Sequence, residues 1–77
     1  MNNKRRDLLR QALHNLEVAE TQINTALDEE QDCLSNLPEN LEGSDRYESM
    51  ENAVDNLEDA LSSLEDVKES VESAILE

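Results

Sequence analysis

Through the first half of the chain runs a series of larger apolar residues, Leu9, Leu13, Leu16, Ile23, Leu27, Leu34 and Leu37. They follow one another in steps of three and four, with Glu20 and Glu30 standing where the series would otherwise continue. A second series runs through Met50, Val54, Leu57, Leu61, Leu64, Val71 and Ile75, with Lys68 in its gap. Both are seven-residue repeats with apolar a and d positions, the pattern that winds helices around one another. With Leu13 at a, the g positions are Ala12, Ala19, Ala26 and Cys33; the second series has Ala53, Ala60, Val67 and Ala74 in the same place. A stripe of mostly small residues beside the a/d seam gives each helix a face wide enough for two neighbours, and lets backbones approach closely.

Between the two series lies SNLPENLEGSD, residues 35–45. Pro38 cannot continue a helix and disfavours helical geometry at Leu37. Gly43, the only glycine, is free to take a backbone conformation that other residues avoid. Ser44 is a good N-cap, with Asp45 and Glu48 favourable near the positive end of the following helix dipole. The expected fold is all-α, a single domain spanning residues 1–77. It comprises one helix over about 4–36, a turn over about 37–44 and a second helix over about 45–76, each roughly 50 Å long at ~1.5 Å per residue. Equal lengths and a short connection predict an antiparallel hairpin, with Leu37 and Leu41 folding back over its closed end.

The two helices also repeat each other. QALHNLEVA at 11–19 aligns with NAVDNLEDA at 52–60, matching Ala12 with Ala53, Asn15 with Asn56, Leu16 with Leu57, Glu17 with Glu58 and Ala19 with Ala60. A pseudo-symmetric hairpin is half of a four-helix bundle. A chain of this size gains only about 3–5 kcal/mol from a single core. One cysteine and one histidine provide neither an intrachain disulfide nor a structural zinc site. Dimerisation into a four-helix bundle is therefore expected. The residues assigned to that interface are Leu9, Leu13, Leu16, Ala19, Ile23 and Leu27 on the first helix, and Met50, Val54, Leu57, Leu61, Leu64 and Val71 on the second.

Charge narrows the choice of partners. Six Lys and Arg against twenty Asp and Glu leave a net charge of −14. Lys4, Arg5, Arg6 and Arg10 crowd the first ten residues with only Asp7 opposing them, so the rest of the chain is more acidic still. Such a surface repels nucleic acid and anionic lipid and attracts basic protein surfaces. A basic helix start is unfavourable to its own dipole. An antiparallel hairpin pairs positions whose numbers add to roughly 81. That register carries Arg5 and Arg6 to Ile75–Glu77, and Arg10 to Glu69 and Glu72. No apolar run approaches the ~20 residues of a membrane span, and the N-terminus lacks the apolar stretch of a signal peptide. A cytoplasmic location is the expectation, and an unpaired cysteine fits a reducing compartment.

Candidate chemistry is sparse. The chain has no Gly-rich phosphate loop, nucleophile elbow or zinc signature, so neither enzymatic activity nor a cofactor is expected. His14 falls at an outward-facing position, and Cys33 belongs to the packed small-residue stripe. DEEQD, residues 28–32, lacks the spacing and central glycine of a calcium loop and reads as a solvated helix face. A metal is not expected. Two readings of Glu20, Glu30 and Lys68 stay open: their stems lie along the seam with charged ends in water, or they set register. At the turn, Asn36, Pro38, Asn40, Arg46 and Tyr47 gather as candidate partner-binding residues, since Tyr and Arg are favoured at interface centres. The alternative is a turn that only caps two helices, with Tyr47 closing the core.

Residues 29–61 carry a resemblance. An EEQ segment leads into NLPE-x-L, then S-[DE]-R, then ME and a second helix of Ala and Leu heptads. The match rests on Glu30, Gln31, Asn36, Leu37, Pro38, Glu39, Leu41, Ser44, Arg46, Met50 and Glu51. In this the chain resembles small acidic helical proteins encoded in Firmicutes genomes and their phages and mobile elements. The resemblance implies a bacterial, phage-associated setting and brings no established activity with it. The functional expectation is a non-enzymatic, self-associating interaction module, a homodimer that modulates another protein with a basic surface. The alternative is a nucleic-acid mimic, whose helix-borne carboxylates occupy a basic DNA- or RNA-binding groove. Direct nucleic-acid or membrane binding is not expected.

Overall fold

A computed structural model describes every residue from Met1 to Glu77. Helix α1 spans Asn3–Ser35 and helix α2 spans Asp45–Leu76, packed against each other as a hairpin. The rod they form measures 59 × 15 × 13 Å. Helix limits agree with the expected ones to within a residue. One feature within the break was not expected: a short 3₁₀ turn over Glu39–Leu41.

Each boundary has a local cause. The Asn2 side chain caps α1, its Oδ1 accepting from the Arg5 N–H at 2.9 Å. At the other end the Asn36 N–H donates to the Asp32 carbonyl at 3.1 Å, and Pro38 stops the helix there. The Pro38 carbonyl then accepts from Leu41 at 2.9 Å, which is what closes the 3₁₀ turn. Gly43 reverses the chain with φ +78°, a left-handed conformation. Ser44 caps α2, its Oγ accepting from the Tyr47 N–H at 3.2 Å, with Asp45 and Glu48 in the first turn. Leu37, Leu41 and Tyr47 are half-buried over this closed end, as the sequence suggests.

The seam runs the length of the rod, yet only Leu27 (7 % exposed) and Val54 (8 %) are buried. Leu9, Leu13, Leu16, Ile23, Met50, Leu57, Leu61, Leu64 and Val71 are all half-buried, as is Ala19 in the small-residue stripe. Leu27 and Val54 are thus covered by the hairpin itself, while the others retain surface to offer elsewhere. The small-residue stripe departs from expectation at Cys33, which is exposed rather than packed. Ala26 and Val67 are exposed with it, because one neighbouring helix cannot cover three adjoining stripes.

The register agrees with expectation at the open end, where Arg6 meets Ile75, but two polar contacts depart from the simple pairing: Glu20 meets Lys68 and Gln31 meets Glu58. These two are displaced by about a heptad, some two turns of helix, because two long side chains extend toward each other along the rod. Arg10 does not reach Glu69 or Glu72. It pairs within its own helix, to Asp7 at 2.7 Å, where both side chains are more than half exposed.

The turn yields a test. A Cβ at Gly43 would meet nothing within 4 Å, so Gly43→Ala is penalised by its positive φ alone. A loss of about 1–2 kcal/mol is expected, and about 1 kcal/mol for Ser44→Ala. Urea melts of the two single variants and the double variant check both values.

Candidate interaction surface

The hairpin has two unlike flanks. In an antiparallel pair the e positions of both helices lie on one side and the g positions on the other. On the e side α2 presents Glu51, Glu58, Glu65 and Glu72, all exposed, and Gln31 of α1 donates to Glu58 at 3.3 Å. On the g side lie the alanines, with Cys33 and Val67 exposed. One flank is therefore a row of carboxylates and the other a shallow apolar strip. At the open end of that strip a groove of about 380 Å³ is lined by Leu9, Val67, Val71 and Ala74, with Asp66 and Ser70 at its edge.

A polar cluster interrupts the seam. Lys68 Nζ sits 2.9 Å from Glu20 Oε2 and 2.9 Å from Glu65 Oε1. Its side chain is only 15 % exposed, against 26 % for Glu20 and 57 % for Glu65. Both readings of these seam residues therefore apply to Lys68: its stem lies along the core and its ammonium ties the two helices together. The bonds to Glu20 and then Glu65 hold the Lys68 ammonium well above the usual lysine range. Glu65, accepting from Lys68, is held below its ordinary 4.5. Glu30 is half-buried in its gap and joins no ion pair.

The basic N-terminus finds a use that the sequence does not announce. Helix α2 has no basic residue in its last turn, and Arg6 supplies one from the other helix, its Nε donating to the Ile75 carbonyl at 3.1 Å. The guanidinium thus sits at the negative end of the α2 dipole, not against a carboxylate. Lys4 and Arg5 take no part in any ion pair. With Asn2, Asp7, Gln11 and the 64 %-exposed Leu8 they line a shallow recess at the open end.

At the closed end Asn36, Pro38, Asn40 and Arg46 are exposed and Tyr47 is half-buried. They share one end of the rod, with the Tyr47 side chain partly covered. His14 is exposed on α1, and no group of three or more His, Cys, Asp and Glu side chains is placed to hold a metal ion. No helix is long and apolar enough to cross a membrane. Compared with protein-family models, with curated proteins and with solved structures, the chain matches none.

The Lys68 cluster has a defined pH window. Lys68 is raised, so its contribution is complete below 10.5 and lost as pH rises through its folded value. Glu65 is lowered, so its contribution is present above 4.5 and lost as pH falls through its folded value. The midpoint difference between the wild-type protein and Lys68→Gln should stay level from about pH 5 to pH 10 and shrink below that range. In the same variant, NMR titration should find the Glu65 carboxyl raised toward its ordinary 4.5, with the Lys68 bond gone and only the Glu20 contact left to lower it.

Proposed function

We propose that the protein is a non-enzymatic interaction module: a helical hairpin that pairs with a second copy of itself and uses its acidic outer surface to engage a basic protein. The observation that carries this reading is the apolar g-side flank. A folded chain with two buried residues and a continuous half-covered face is one that completes its core by association. The rod's long face, 59 × 15 Å, amounts to about 900 Å². A standard interface buries about 800 Å² per partner. End-to-end contact, limited to the 15 × 13 Å cross-section, falls far short of this. Side-by-side packing of hairpins is the four-helix-bundle solution to the same problem. Its Ala-rich flank supports close approach.

The resemblance to small proteins of Firmicutes phages and mobile elements points to a modulator of a host protein, acting in the cytoplasm. The exposed Cys33 thiol, with no partner to oxidise to, suits a reducing compartment. Such a modulator needs no catalytic group; its acidic surface suffices to draw in a basic partner.

A second reading, nucleic-acid mimicry, is favoured by charge density. A net charge of −14 along 59 Å is one charge per ~4 Å, and two copies side by side give one per ~2 Å. Duplex DNA carries one per ~1.7 Å. On this reading the dimer, not the single hairpin, is the mimic, and the site it blocks is a DNA-binding groove.

Salt separates self-association from attraction to a basic partner. Added salt at pH 7 should tighten the dimer by screening its net charge, and weaken capture of a basic partner. Sedimentation and a pull-down from bacterial lysate, each at two salt concentrations, read the two slopes. Val67→Asp supplies the structural test. Val67 is 45 % exposed in the hairpin, so helicity should persist. The dimer should weaken at least 100-fold, about 2.7 kcal/mol, because a charge would enter an apolar interface. A protein that sediments as a monomer up to millimolar concentration would overturn the reading.

A further inference from the structure

We infer that the second copy packs antiparallel, so that the open end of each hairpin lies against the closed end of the other. This rests on the dimer proposed above and adds its orientation. Side-by-side packing through the same flank allows two symmetric arrangements. A two-fold axis along the rod puts both closed ends together; a two-fold axis across it puts them at opposite ends.

Charge distinguishes them. Cut at its middle, the rod has a closed half, residues 21–61, with twelve acids and only Arg46 among bases. The open half has eight acids with Lys4, Arg5, Arg6, Arg10 and Lys68. The halves therefore carry −11 and −3, the whole of the −14. The cut falls in the uncharged stretches 21–27 and 60–64, so its placement does not alter these values. In the parallel arrangement −11 faces −11. In the antiparallel arrangement −11 faces −3 at each end, and the sum of charge products falls by about half.

The complementarity sharpens at the level of single helices. A two-fold axis across the rod sets α1 of one copy over α1 of the other, running oppositely. Helix α1 is itself polarised. Its start carries Lys4 and Arg5, which join no ion pair within the hairpin, and its end carries Asp28, Glu29, Glu30 and Asp32. Antiparallel stacking about the middle of the rod sets Lys4 and Arg5 of one copy opposite residues 36–37 of its partner, one to two turns beyond the Glu29–Asp32 cluster and just before Glu39 and Glu42, twice by symmetry. This gives the unpaired cations of the open end an acidic neighbourhood.

The native Cys33 measures the orientation directly, being the only cysteine and exposed about two-thirds of the way from the middle of the rod to its closed end. With a nitroxide on Cys33, pulsed electron resonance should give a separation of about 40 Å between copies if they are antiparallel, and under about 20 Å if parallel. Sedimentation of the unlabelled and the labelled protein is run alongside. A monomer in the unlabelled protein refutes the dimer and the orientation together, whereas a labelled dimer with the short distance refutes the orientation alone.

Charge reversal gives a second measurement that does not depend on the label. The double variant Lys4→Glu/Arg5→Glu should self-associate more than tenfold less tightly at low salt. Mixed with wild-type protein it should form a heterodimer of intermediate affinity, since one of the two end contacts is then intact. Parallel packing, which sets open end against open end, predicts instead a heterodimer tighter than the mean of the two homodimers, and that result would overturn the proposal.

Discussion

A helix with three adjoining apolar stripes cannot bury all of them against one neighbour, and this constraint organises the molecule. The a and d residues meet across the seam, but only Leu27 and Val54 are covered on all sides. Everything on the g side is left partly wet. The hairpin is a well-formed piece of secondary structure with a thinly covered core, because its apolar stripes are wider than one neighbouring helix can cover.

Within this constraint, polar groups supply what apolar packing does not. The seam's interruptions form a cross-link between the helices through Lys68 and Glu20, and capping is shared between the helices through Arg6 and the Ile75 carbonyl. Neither is a large contribution in an exposed rod, where ion pairs are weak. Their geometric effect is greater: a seam of leucines alone tolerates sliding by a heptad, and a lysine that must find Glu20 does not.

How much of this is legible in the sequence depends on the range of the forces involved. The break between the helices is, because Pro38, Gly43 and Ser44 each act within about four residues of themselves. The identity of the seam is too, since periodicity reports which side of a helix is apolar. The register is legible in part. Arg6 meets Ile75 where the simple pairing puts it, but the partners of Glu20, Gln31 and Lys68 depend on how far these side chains extend, which spacing does not encode. Cys33 is misplaced for a related reason: a small residue at a g position is compatible with packing, yet its exposure depends on whether a further helix is present. The candidate residues at the turn fare differently again. Their gathering at one end follows from the hairpin, but how far Tyr47 is covered belongs to tertiary packing.

The closed end, finally, sets an order of events. Contacts across a hairpin become progressively less local away from its turn, from the few residues spanned by Leu41 and Ser44 to the 69 positions that separate Arg6 from Ile75. The entropy of loop closure grows with that separation. Loop-closure entropy therefore favours a zipper, nucleated where Pro38 and Gly43 restrict the chain and closing toward the termini. Fraying runs the other way. The open end is the last part to form and the first to exchange its amide protons.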